Sequence, residues 1–486
     1  MPFFIRKKTT SKSKTKSKKD KKKVISKRVR TAAAEVPAAK RARPADEDDE
    51  EIDSDEFEDE PAPADEPELS ETELETAQEK RLRLAKLYLE EIKRQEAGRE
   101  EAEEVDRAGR SVADRLRDEV LERAGRLQRP LADSCVQPAA ELVRRLRCRQ
   151  LQLPVTCAVL APDDKFLYTG SKDCSLIKWC METYKRLQVV PGGRKGTENT
   201  HIGHTTHILC MAISTDNKYL VSGDLSHLIQ LWEPASLTRL HVFRGHRGAV
   251  TGLAFQRGTH QLFSAAADRM VKVWSVHDRS YIESLFGHQD AITGLDALSR
   301  ERAVSCGGRD TSCRVWKLVE ESQLVFTGHR DSIDCIRLIN EEHWVTGGQD
   351  GMVCLWGVSK KKPLCCVPRA HGVDPQSRLP RWVSAVSALT NSDLVASGSW
   401  DGHVRLWRCA AGFTALTALM ALPAAGFVNS LTFSGSGDRL VAGCGQEHRL
   451  GRWWRLREGS NLLLVYPLTA AAAQQQHTDS SDDDGS

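Results

Sequence analysis

The chain lacks the sequence features that mark most membrane, secreted and zinc-binding proteins. None of its apolar stretches approaches 18 residues, so no transmembrane helix is predicted. Its first residues lead into a lysine-rich run without an apolar core, which argues against a secretory signal. The 14 cysteines are scattered and form no CxxC pair, a distribution typical of reduced thiols in the cytosol or nucleus.

Motifs for common catalytic chemistry are missing as well. The sequence contains no phosphate-binding glycine loop, no nucleophile elbow and no metal-ligand spacing. We therefore expect a protein that is not an enzyme and that uses no cofactor or metal ion. A function in binding or assembly is the expectation that remains.

The near balance of charge hides strong segregation along the chain. Its 70 Lys and Arg against 67 Asp and Glu give a net charge of +3, yet residues 6–30 contain 14 Lys and Arg, and all the charged residues of 46–75 are acidic. Such blocks cannot bury enough apolar surface to fold, so disordered tails are predicted over 1–69 and 469–486. The basic clusters are typical of a nuclear or nucleolar address, with Lys21, Lys22, Lys23, Lys27, Arg28, Arg30, Lys40, Arg41 and Arg43 as its residues.

A helical segment is predicted after the first tail. Residues 70–129 are rich in Glu, Arg, Leu and Ala and contain three Gly and no Pro. Apolar residues such as Leu84, Leu87 and Tyr88 recur at three- and four-residue steps, which indicates an amphipathic helix. Because the rest of this segment is so charged, we expect its apolar face to dock on a partner. Folding back on the domain that follows is the alternative.

Tryptophan positions define a repeat in the rest of the chain. An acidic residue stands six residues before the Trp in six units, and the unit that ends at Trp232 has Ser226 there. The units recur every 40 to 53 residues, which indicates a repeat array. The unit ends are Trp179, Trp232, Trp274, Trp316, Trp356, Trp407 and Trp453.

Each unit also carries an upstream histidine. Gly-His stands 27 or 28 residues before the Trp in four units, and Ala370-His371 is a weakened copy. Short alternating apolar runs between the two marks predict strands, four to a unit. Units of this kind resemble the WD-repeat family. The chain is therefore expected to be an all-β, seven-bladed WD-repeat β-propeller over residues 140–468, preceded by the charged α-helical segment and the disordered N-terminal tail.

In WD-repeat propellers the His, a strand Ser or Thr, the turn Asp and the Trp indole form one hydrogen-bonded chain, which satisfies a buried carboxylate. Because the set recurs around the ring, we interpret it as structural and not as catalytic. Cys306 stands at the hydroxyl position of one repeat and Arg149 replaces the first His, so both of those chains are expected to be incomplete. The complete sets are His246, Ser264, Asp268 and Trp274, and His329, Thr346, Asp350 and Trp356.

Binding is expected on the loops that carry these His and Asp residues. The propeller region, residues 141–470, contains 39 Lys and Arg and 29 Asp and Glu, which suits a phosphate-rich partner. Two insertions lengthen loops beside His positions, and the residue before each turn Asp points to the same face. Arginine can pair bidentately with phosphate, and tryptophan can stack on a base. The candidates for RNA or partner contact are Lys172, Arg194, Lys195, Arg309, Arg378, Arg381 and Trp400.

Longer strings narrow the resemblance to one family. KDCSLIKW (172–179), GHRDSIDCIRLINEEH (328–343) and GQEHRLGRWWR (445–455) resemble the U3 small nucleolar RNA-interacting family, also called ribosomal RNA-processing protein nine. The likeness extends over the helical segment and all seven predicted blades. The first repeat departs from it, because Arg147-Cys148-Arg149-Gln150 stands where the family tends to keep Arg-Gly-His-Gln.

The resemblance implies a nucleolar, non-catalytic subunit of the U3 small nucleolar ribonucleoprotein. Its partners would be the box B/C region of U3 RNA, the kink-turn-binding protein of the box C/D particle and other small-subunit processome proteins, with no membrane contact. It would act as a monomer in the particle, during pre-ribosomal RNA processing. A substrate receptor of a ubiquitin ligase and a chromatin-binding propeller are the alternatives. The residue pattern leaves open which face holds RNA and whether residues 142–147 or 462–468 close the ring.

Overall fold

The computed structural model describes residues 81, 83, 85–91, 112–149, 151–194, 196–197 and 201–469. The residues of the predicted nuclear address and Lys195 lie outside these ranges. Residues 85–91 are helical, helix α1 spans Val112–Arg123, and short 3-10 turns occupy Ala132–Ser134, Ala140–Leu142 and Ala411–Phe413. No helix of the described part is long and apolar enough to cross a membrane.

The described residues form seven four-stranded antiparallel sheets, the blades of a β-propeller. Blades 1 to 3 consist of β2 (Val155–Leu160), β3 (Phe166–Ser171), β4 (Leu176–Cys180), β5 (Arg186–Val190), β6 (Ile208–Ile213), β7 (Leu220–Asp224), β8 (Ile229–Trp232), β9 (Arg239–Phe243), β10 (Val250–Phe255), β11 (Gln261–Ala266), β12 (Met270–Ser275) and β13 (Ser280–Phe286). Blades 4 to 6 consist of β14 (Ile292–Ala297), β15 (Arg302–Gly307), β16 (Ser312–Lys317), β17 (Ser322–Thr327), β18 (Ile333–Leu338), β19 (His343–Gly348), β20 (Val353–Gly357), β21 (Lys360–Val367), β22 (Ala385–Ala388), β23 (Leu394–Gly398), β24 (His403–Cys409) and β25 (Leu416–Pro423). Blade 7 consists of β26 (Phe427–Phe433), β27 (Arg439–Gly445), β28 (Leu462–Pro467) and β1 (Arg144–Leu146).

The repeated Trp lies on the third strand of blades 1 to 6 and packs between neighbouring blades. Trp274 of blade 3, for example, shares a buried cluster with Val221 and Leu231 of blade 2. In blade 5, Trp356 pairs across the sheet with Trp344, and both side chains are fully buried. Each blade is covered on both sides by its neighbours, so apolar side chains on both faces of a strand can be buried.

Tyr466, and not Trp453, fills the Trp position of blade 7. Residues 446–461 form a long loop between β27 and β28, and Trp453 is 61% exposed within it. Tyr466 pairs with Leu440 on the neighbouring strand, is fully buried, and donates its hydroxyl to the Pro423 carbonyl at 2.6 Å. The prediction of seven blades is confirmed, but the assignment of Trp453 as the last unit end is wrong.

The ring is closed by strands from both ends of the domain. β1 pairs antiparallel with β28, so that Arg144 stands opposite Val465 and Leu146 opposite Leu463. Both terminal segments that the sequence offered therefore belong to blade 7, β28 as its third strand and β1 as its outer strand. This pairing covers an edge of β28 that would otherwise expose unpaired backbone groups.

Side chains at the starts of the inner strands tie each blade to the next around the central channel. The Thr156 hydroxyl of blade 1 donates to the Ile208 carbonyl of blade 2 at 2.6 Å. In blade 2 the Cys210 thiol takes this role and lies 3.4 Å from the Val250 carbonyl. The donors at the seven junctions are Thr156, Cys210, Thr251, Thr293, Cys335, Ser384 and Asn429.

The segment that follows α1 folds back on the propeller. Leu127 is 1% exposed, and the amides of Leu131 and Ala132 donate to the Asp393 carboxylate at 2.8 and 3.0 Å. Asp393 lies in the turn between the first two strands of blade 6. The expectation that the helical segment docks on a partner is therefore wrong for its last residues, 124–129, which follow the alternative, and the contact continues to residue 135. Within α1 itself, Val120 remains 65% exposed.

Candidate nucleic-acid interface

Strand direction sorts the loops of the propeller onto two faces. In an antiparallel blade, the turn between the second and third strands lies at the same end as the link from the outer strand to the next blade. The repeated Asp belongs to that turn and the repeated His to that link, so both lie on one face. We call each set of His, Ser or Thr, Asp and Trp a tetrad, and this face the tetrad face. The remaining turns form the opposite face, where residues 124–135 pack.

In blade 3 the four expected residues form one continuous hydrogen-bonded chain. The Trp274 indole donates to Ser264 Oγ at 2.8 Å, and Ser264 Oγ lies 2.7 Å from His246 Nε2. His246 Nδ1 lies 2.8 Å from the Asp268 carboxylate. This order of donors fits a neutral imidazole that carries its proton on Nδ1. The expected residues of blade 5 are joined in the same order, at 2.8, 2.7 and 3.0 Å: Trp356, Thr346, His329 and Asp350.

The chain of blade 4 is complete, contrary to expectation. Ser305, and not Cys306, supplies the hydroxyl, which lies 2.7 Å from His288 Nε2 and accepts from Trp316 Nε1 at 2.8 Å. His288 Nδ1 reaches Asp310 at 2.7 Å. The reason is a turn one residue longer than in blade 3, which moves the serine back by one position. In both blades the serine stands opposite the residue two before the Trp.

Blade 2 also has a carboxylate, at a position that the spacing rule misses. Asp224, two residues before Ser226, lies 3.0 Å from His204 Nδ1. His204 Nε2 lies 2.5 Å from Ser222 Oγ, which accepts from Trp232 Nε1 at 2.7 Å. The assignment of Ser226 to the acidic position is therefore wrong, because the acid lies at the end of the second strand.

Blade 6 keeps the hydrogen-bonded chain, and blade 1 lacks it. The weakened repeat of blade 6 is complete: His371 lies 2.9 Å from both Asp401 and Ser397. In blade 1, Arg149 is exposed and makes no such chain, as expected. The carboxylate of Asp173 instead accepts from the Leu153 amide at 2.8 Å.

Internal hydrogen bonds hold the carboxylates of the tetrads. Burial alone would raise the pKa of Asp268, but the hydrogen bonds from His246 and from the Arg247 and Met270 amides outweigh it, so the pKa falls below its ordinary value. Burial is likewise outweighed, and the pKa lowered, at Asp310, Asp350 and Asp401. These negative charges are thus held by internal donors and present little of themselves to a ligand.

Exposed arginine side chains occupy many parts of the tetrad face. Among the predicted contacts, Arg194, Arg309 and Arg378 are exposed there. The Arg309 amide donates to Asp290 at 3.0 Å, which fixes the backbone and leaves the guanidinium in solvent. Sequence reasoning missed further exposed arginines, some of which directly follow a tetrad His and could have been found by that position: Arg247, Arg269, Arg330 and Arg452.

Lys172 differs from the other candidates because it is buried. Its Nζ donates to the Gly451 carbonyl at 3.0 Å and lies 3.6 Å from the Glu447 carboxylate. Burial lowers the pKa of Lys172, and the attraction of Glu447 offsets this only in part. The structure thus gives Lys172 internal partners at the junction of blades 7 and 1, and no exposed surface for RNA.

Trp400 and Arg381 are brought together as a stacked pair. The Arg381 guanidinium lies 5.0 Å from the centre of the Trp400 ring, a cation–π geometry. The Trp400 ring also lies 5.0 Å from the ring of Trp454, which sequence reasoning did not single out. The sequence does not reveal Trp454 as a surface residue, because the adjacent Trp453 fits the repeat spacing. That spacing assigns both tryptophans to a blade and not to an exposed loop.

The opposite face has a mixed charge. Carboxylates are exposed in its turns, whereas the tetrad aspartates of the other face are bonded internally and Asp331 and Glu458 are exposed acids there. The exposed acids are Asp163, Glu182, Glu233, Asp278, Glu320 and Glu321. A polyanion is therefore expected to favour the tetrad face.

Comparison with known proteins agrees with this fold. Six segments match the family described as "WD domain, G-beta repeat": residues 141–180, 196–233, 237–275, 279–317, 320–357 and 374–408. The fold and its tetrads define a WD-repeat β-propeller.

Comparison with individual relatives narrows the assignment to one family of WD-repeat proteins. The chain is 60% identical over 396 residues to "U3 small nucleolar RNA-interacting protein 2" of Mus musculus, covering 81% of this chain and 82% of the relative. It is 28% identical over 500 residues to "Ribosomal RNA-processing protein 9" of Saccharomyces cerevisiae, covering 79% and 87%. The solved "Structure of U3-55K" superposes with a TM-score of 0.66 at 56% identity, covering 68% of this chain and 100% of that one. The chain belongs to the U3 small nucleolar RNA-interacting protein 2 family.

Proposed function

We propose that this protein is a non-catalytic RNA- and protein-binding subunit of the U3 small nucleolar ribonucleoprotein. In this function it binds the box B/C region of U3 RNA beside the kink-turn-binding protein and serves small-subunit processome assembly and pre-ribosomal RNA processing. The observation that carries the proposal is the 60% identity, over 81% of this chain, to a mouse protein named for its interaction with U3 RNA. The two alternatives from the sequence, a ubiquitin-ligase receptor and a chromatin reader, have no support of this strength.

The tetrad face is the part of the propeller that best suits RNA. Its turn aspartates are bonded internally, while Arg194, Arg309 and Arg378 reach solvent. A rigid ring that presents arginines at fixed positions can match the shape of a folded RNA. A lysine-rich tail contacts phosphates without fixing their register, so it adds affinity that is independent of sequence.

Charge reversal on the tetrad face tests this assignment. In the full chain, the double variant Arg309→Glu/Arg378→Glu should weaken binding to box B/C RNA, with the kink-turn-binding protein present, and should reduce the selectivity over a scrambled RNA of equal length. The salt dependence of binding should also become shallower. Gel-shift competition at about 150 mM salt measures the affinity and the selectivity.

Lys361→Glu/Lys362→Glu is the matched control, because it makes the same charge change at exposed positions on the outer strand of blade 5. This control should keep the selectivity. If both double variants behaved alike, or if residues 1–111 alone distinguished the two RNAs while residues 112–469 did not, the tetrad face would not be the RNA site.

The proposed nuclear and nucleolar location rests on residues 1–43. A fluorescent fusion that lacks them should lose nucleolar concentration, while one in which only the acidic residues 46–60 are removed should keep it. Equal concentration of both fusions in nucleoli would place the address elsewhere in the chain.

A further inference from the structure

The loop between β27 and β28 presents two tryptophans on the tetrad face. Residues 446–461 stand where other blades have a short turn, and Trp453 and Trp454 are 61% and 39% exposed. The blade core does not need them, because Tyr466 fills the Trp position of the repeat. Adjacent exposed indoles are an apolar surface of the kind that marks a binding site.

Two further tryptophans extend this surface across the junction of blades 6 and 7. Trp400 lies in the turn between β23 and β24, with its ring 5.0 Å from that of Trp454. Trp382 lies just before β22, with its ring 5.9 Å from His448, and His448 lies 5.5 Å from Trp453. We call Trp382, Trp400, Trp453 and Trp454 the aromatic cluster.

Cations border the aromatic cluster, and the carboxylate beside it is already paired. The Arg381 guanidinium lies 5.0 Å from the centre of the Trp400 ring, and the Arg452 side chain is 63% exposed. Glu447 is buried between Lys172 Nζ at 3.6 Å and Arg452 Nε at 3.2 Å. The cluster therefore offers flat apolar surfaces inside a region of positive charge.

We propose that the aromatic cluster binds unpaired nucleotides of RNA. Bases stack on Trp453 and Trp454, and the phosphates between them pair with the outer nitrogens of Arg452, whose Nε stays with Glu447. Arg455, which is exposed and is oriented by hydrogen bonds to Gln446 at 2.8 and 3.2 Å, supplies a second cation. Stacking on aromatic side chains within a cationic groove is how proteins hold single strands without reading their sequence. The inference rests on the proposed function and adds the form of RNA that this part of the tetrad face takes.

The chemistry of the cluster favours single strands over other ligands. A duplex keeps its bases stacked internally, so it offers the indoles no free base face. A methylated-lysine peptide needs a carboxylate beside the rings, and Glu447 is already held by two cations. A proline-rich peptide would use the indoles but would leave the surrounding arginines without a function.

The test compares two variants of the full chain. Trp453→Ala/Trp454→Ala removes the exposed indoles, and Phe286→Ala is the control, because it removes an aromatic side chain that is 66% exposed on the outer strand of blade 3. The probes are a fluorescent eight-nucleotide single-stranded RNA of mixed sequence and a blunt RNA duplex of equal length. Fluorescence anisotropy at about 150 mM salt measures both affinities.

The double variant is expected to bind the single strand about tenfold more weakly or worse, and to bind the duplex as the wild-type protein does. Phe286→Ala should match the wild type on both probes. Because the two indoles lie outside the blade core, the thermal unfolding midpoint of the double variant should stay at the wild-type value. Ultraviolet crosslinking of wild-type protein to the single strand should mark Trp453 or Trp454 in mass spectrometry.

An unchanged single-strand affinity in the double variant would overturn the inference. So would an equal loss for the duplex, or a wild-type protein that ignores the single strand and binds a proline-rich peptide through these indoles. The proposed function is judged apart, by selection of box B/C RNA over the scrambled RNA. If the double variant still selects box B/C RNA and binds the single strand fully, only the inference about the aromatic cluster is refuted. If the protein binds the single strand through the cluster but does not select box B/C RNA, only the proposed function is refuted.

Discussion

At the scale of single residues, Asp268 shows what a tetrad contributes to stability. Its carboxylate accepts from His246 and from the Arg247 and Met270 amides at 2.8 to 3.1 Å. In Asp268→Ala these donors lose their acceptor, and an unsatisfied buried donor costs roughly 1–3 kcal/mol. We expect a lower midpoint of thermal unfolding, measured by circular dichroism.

Asp278→Ala is the control for this prediction. Asp278 is exposed on the opposite face and accepts from Ser275 at 2.6 Å, so its loss should leave the midpoint nearly unchanged. Equal midpoints for Asp268→Ala and wild type would show that the tetrad does not stabilise the blade.

The buried carboxyl group of Asp334, beside the central channel, leads us to predict that the stability of the fold depends on pH. Burial raises its pKa to about 6, although the charge of Arg449 and a hydrogen bond from Ser332 oppose the shift. The pKa of an unfolded Asp is about 3.9, so ionisation of Asp334 destabilises the fold increasingly as pH rises from about 4 to about 6, and fully above that. Asp334→Asn cannot ionise, so its melting midpoint minus that of wild type should be larger at pH 7.5 than at pH 4.5.

Asp278→Asn is the control, because it makes the same exchange at an exposed position on the opposite face. This variant measures the effect of exchanging a carboxylate for an amide at both pH values. A difference for Asp334→Asn that is the same at both pH values would contradict the prediction.

The distance in sequence from the repeated Trp predicts the other tetrad residues only in blades whose turns have the usual length. The chain of blade 3 could be predicted from its sequence because His246, Ser264 and Asp268 keep the usual distances from the Trp. In blade 4 a single extra turn residue moves the hydroxyl to Ser305. Such a shift is set by cross-strand pairing, which the sequence does not display.

At the scale of elements, the docked segment 124–135 leads to a prediction about Asp393. This buried carboxylate accepts from the Leu131 and Ala132 amides and lies 3.6 Å from Arg408 Nε. Asp393→Ala should loosen the contact between the segment and blade 6, because both amides lose their acceptor while the Gln128 bonds remain. Hydrogen exchange followed by mass spectrometry should show faster exchange over residues 124–135 than in wild type.

Asp163→Ala is the control for this experiment, since Asp163 is exposed on the same face and accepts only from a local amide, that of Lys165 at 3.2 Å. Its exchange over 124–135 should equal that of wild type. Unchanged exchange in Asp393→Ala would mean that the other contacts hold the segment, among them the buried Leu127 and the hydrogen bonds of Gln128 to the Cys409 and Ala410 carbonyls.

Helical periodicity identified the amphipathic segment but not its docking partner. The same apolar face suits the propeller or another protein, and only the placement of Asp393 and Leu127 distinguishes the two. The β27–β28 loop shows the converse limit. Its Trp453 keeps the repeat spacing, yet the side chain lies outside the core because β28 begins later, at Leu462.

At the scale of the whole molecule, closure by β1 predicts the effect of truncation. A fragment of residues 137–469 keeps β1, whereas a fragment of residues 148–469 lacks it and exposes an edge of β28. Such an edge is a template for pairing with another chain. The shorter fragment should melt earlier and self-associate, as measured by thermal denaturation and light scattering. Equal midpoints and a monomeric mass for both fragments would show that β1 is dispensable.

The pairing of β1 with β28 also has a consequence for folding during synthesis. β1 leaves the ribosome before any blade, and its partner leaves after six blades have been made. Domains can begin to fold during synthesis, so most of the propeller can form while β1 still waits. A chain that stops before the end of β27, at Gly445, remains an open arc and lacks Glu447, the partner of Lys172. Pairing of β1 therefore requires synthesis through β28, so blade 7 and its part of the tetrad face are completed last.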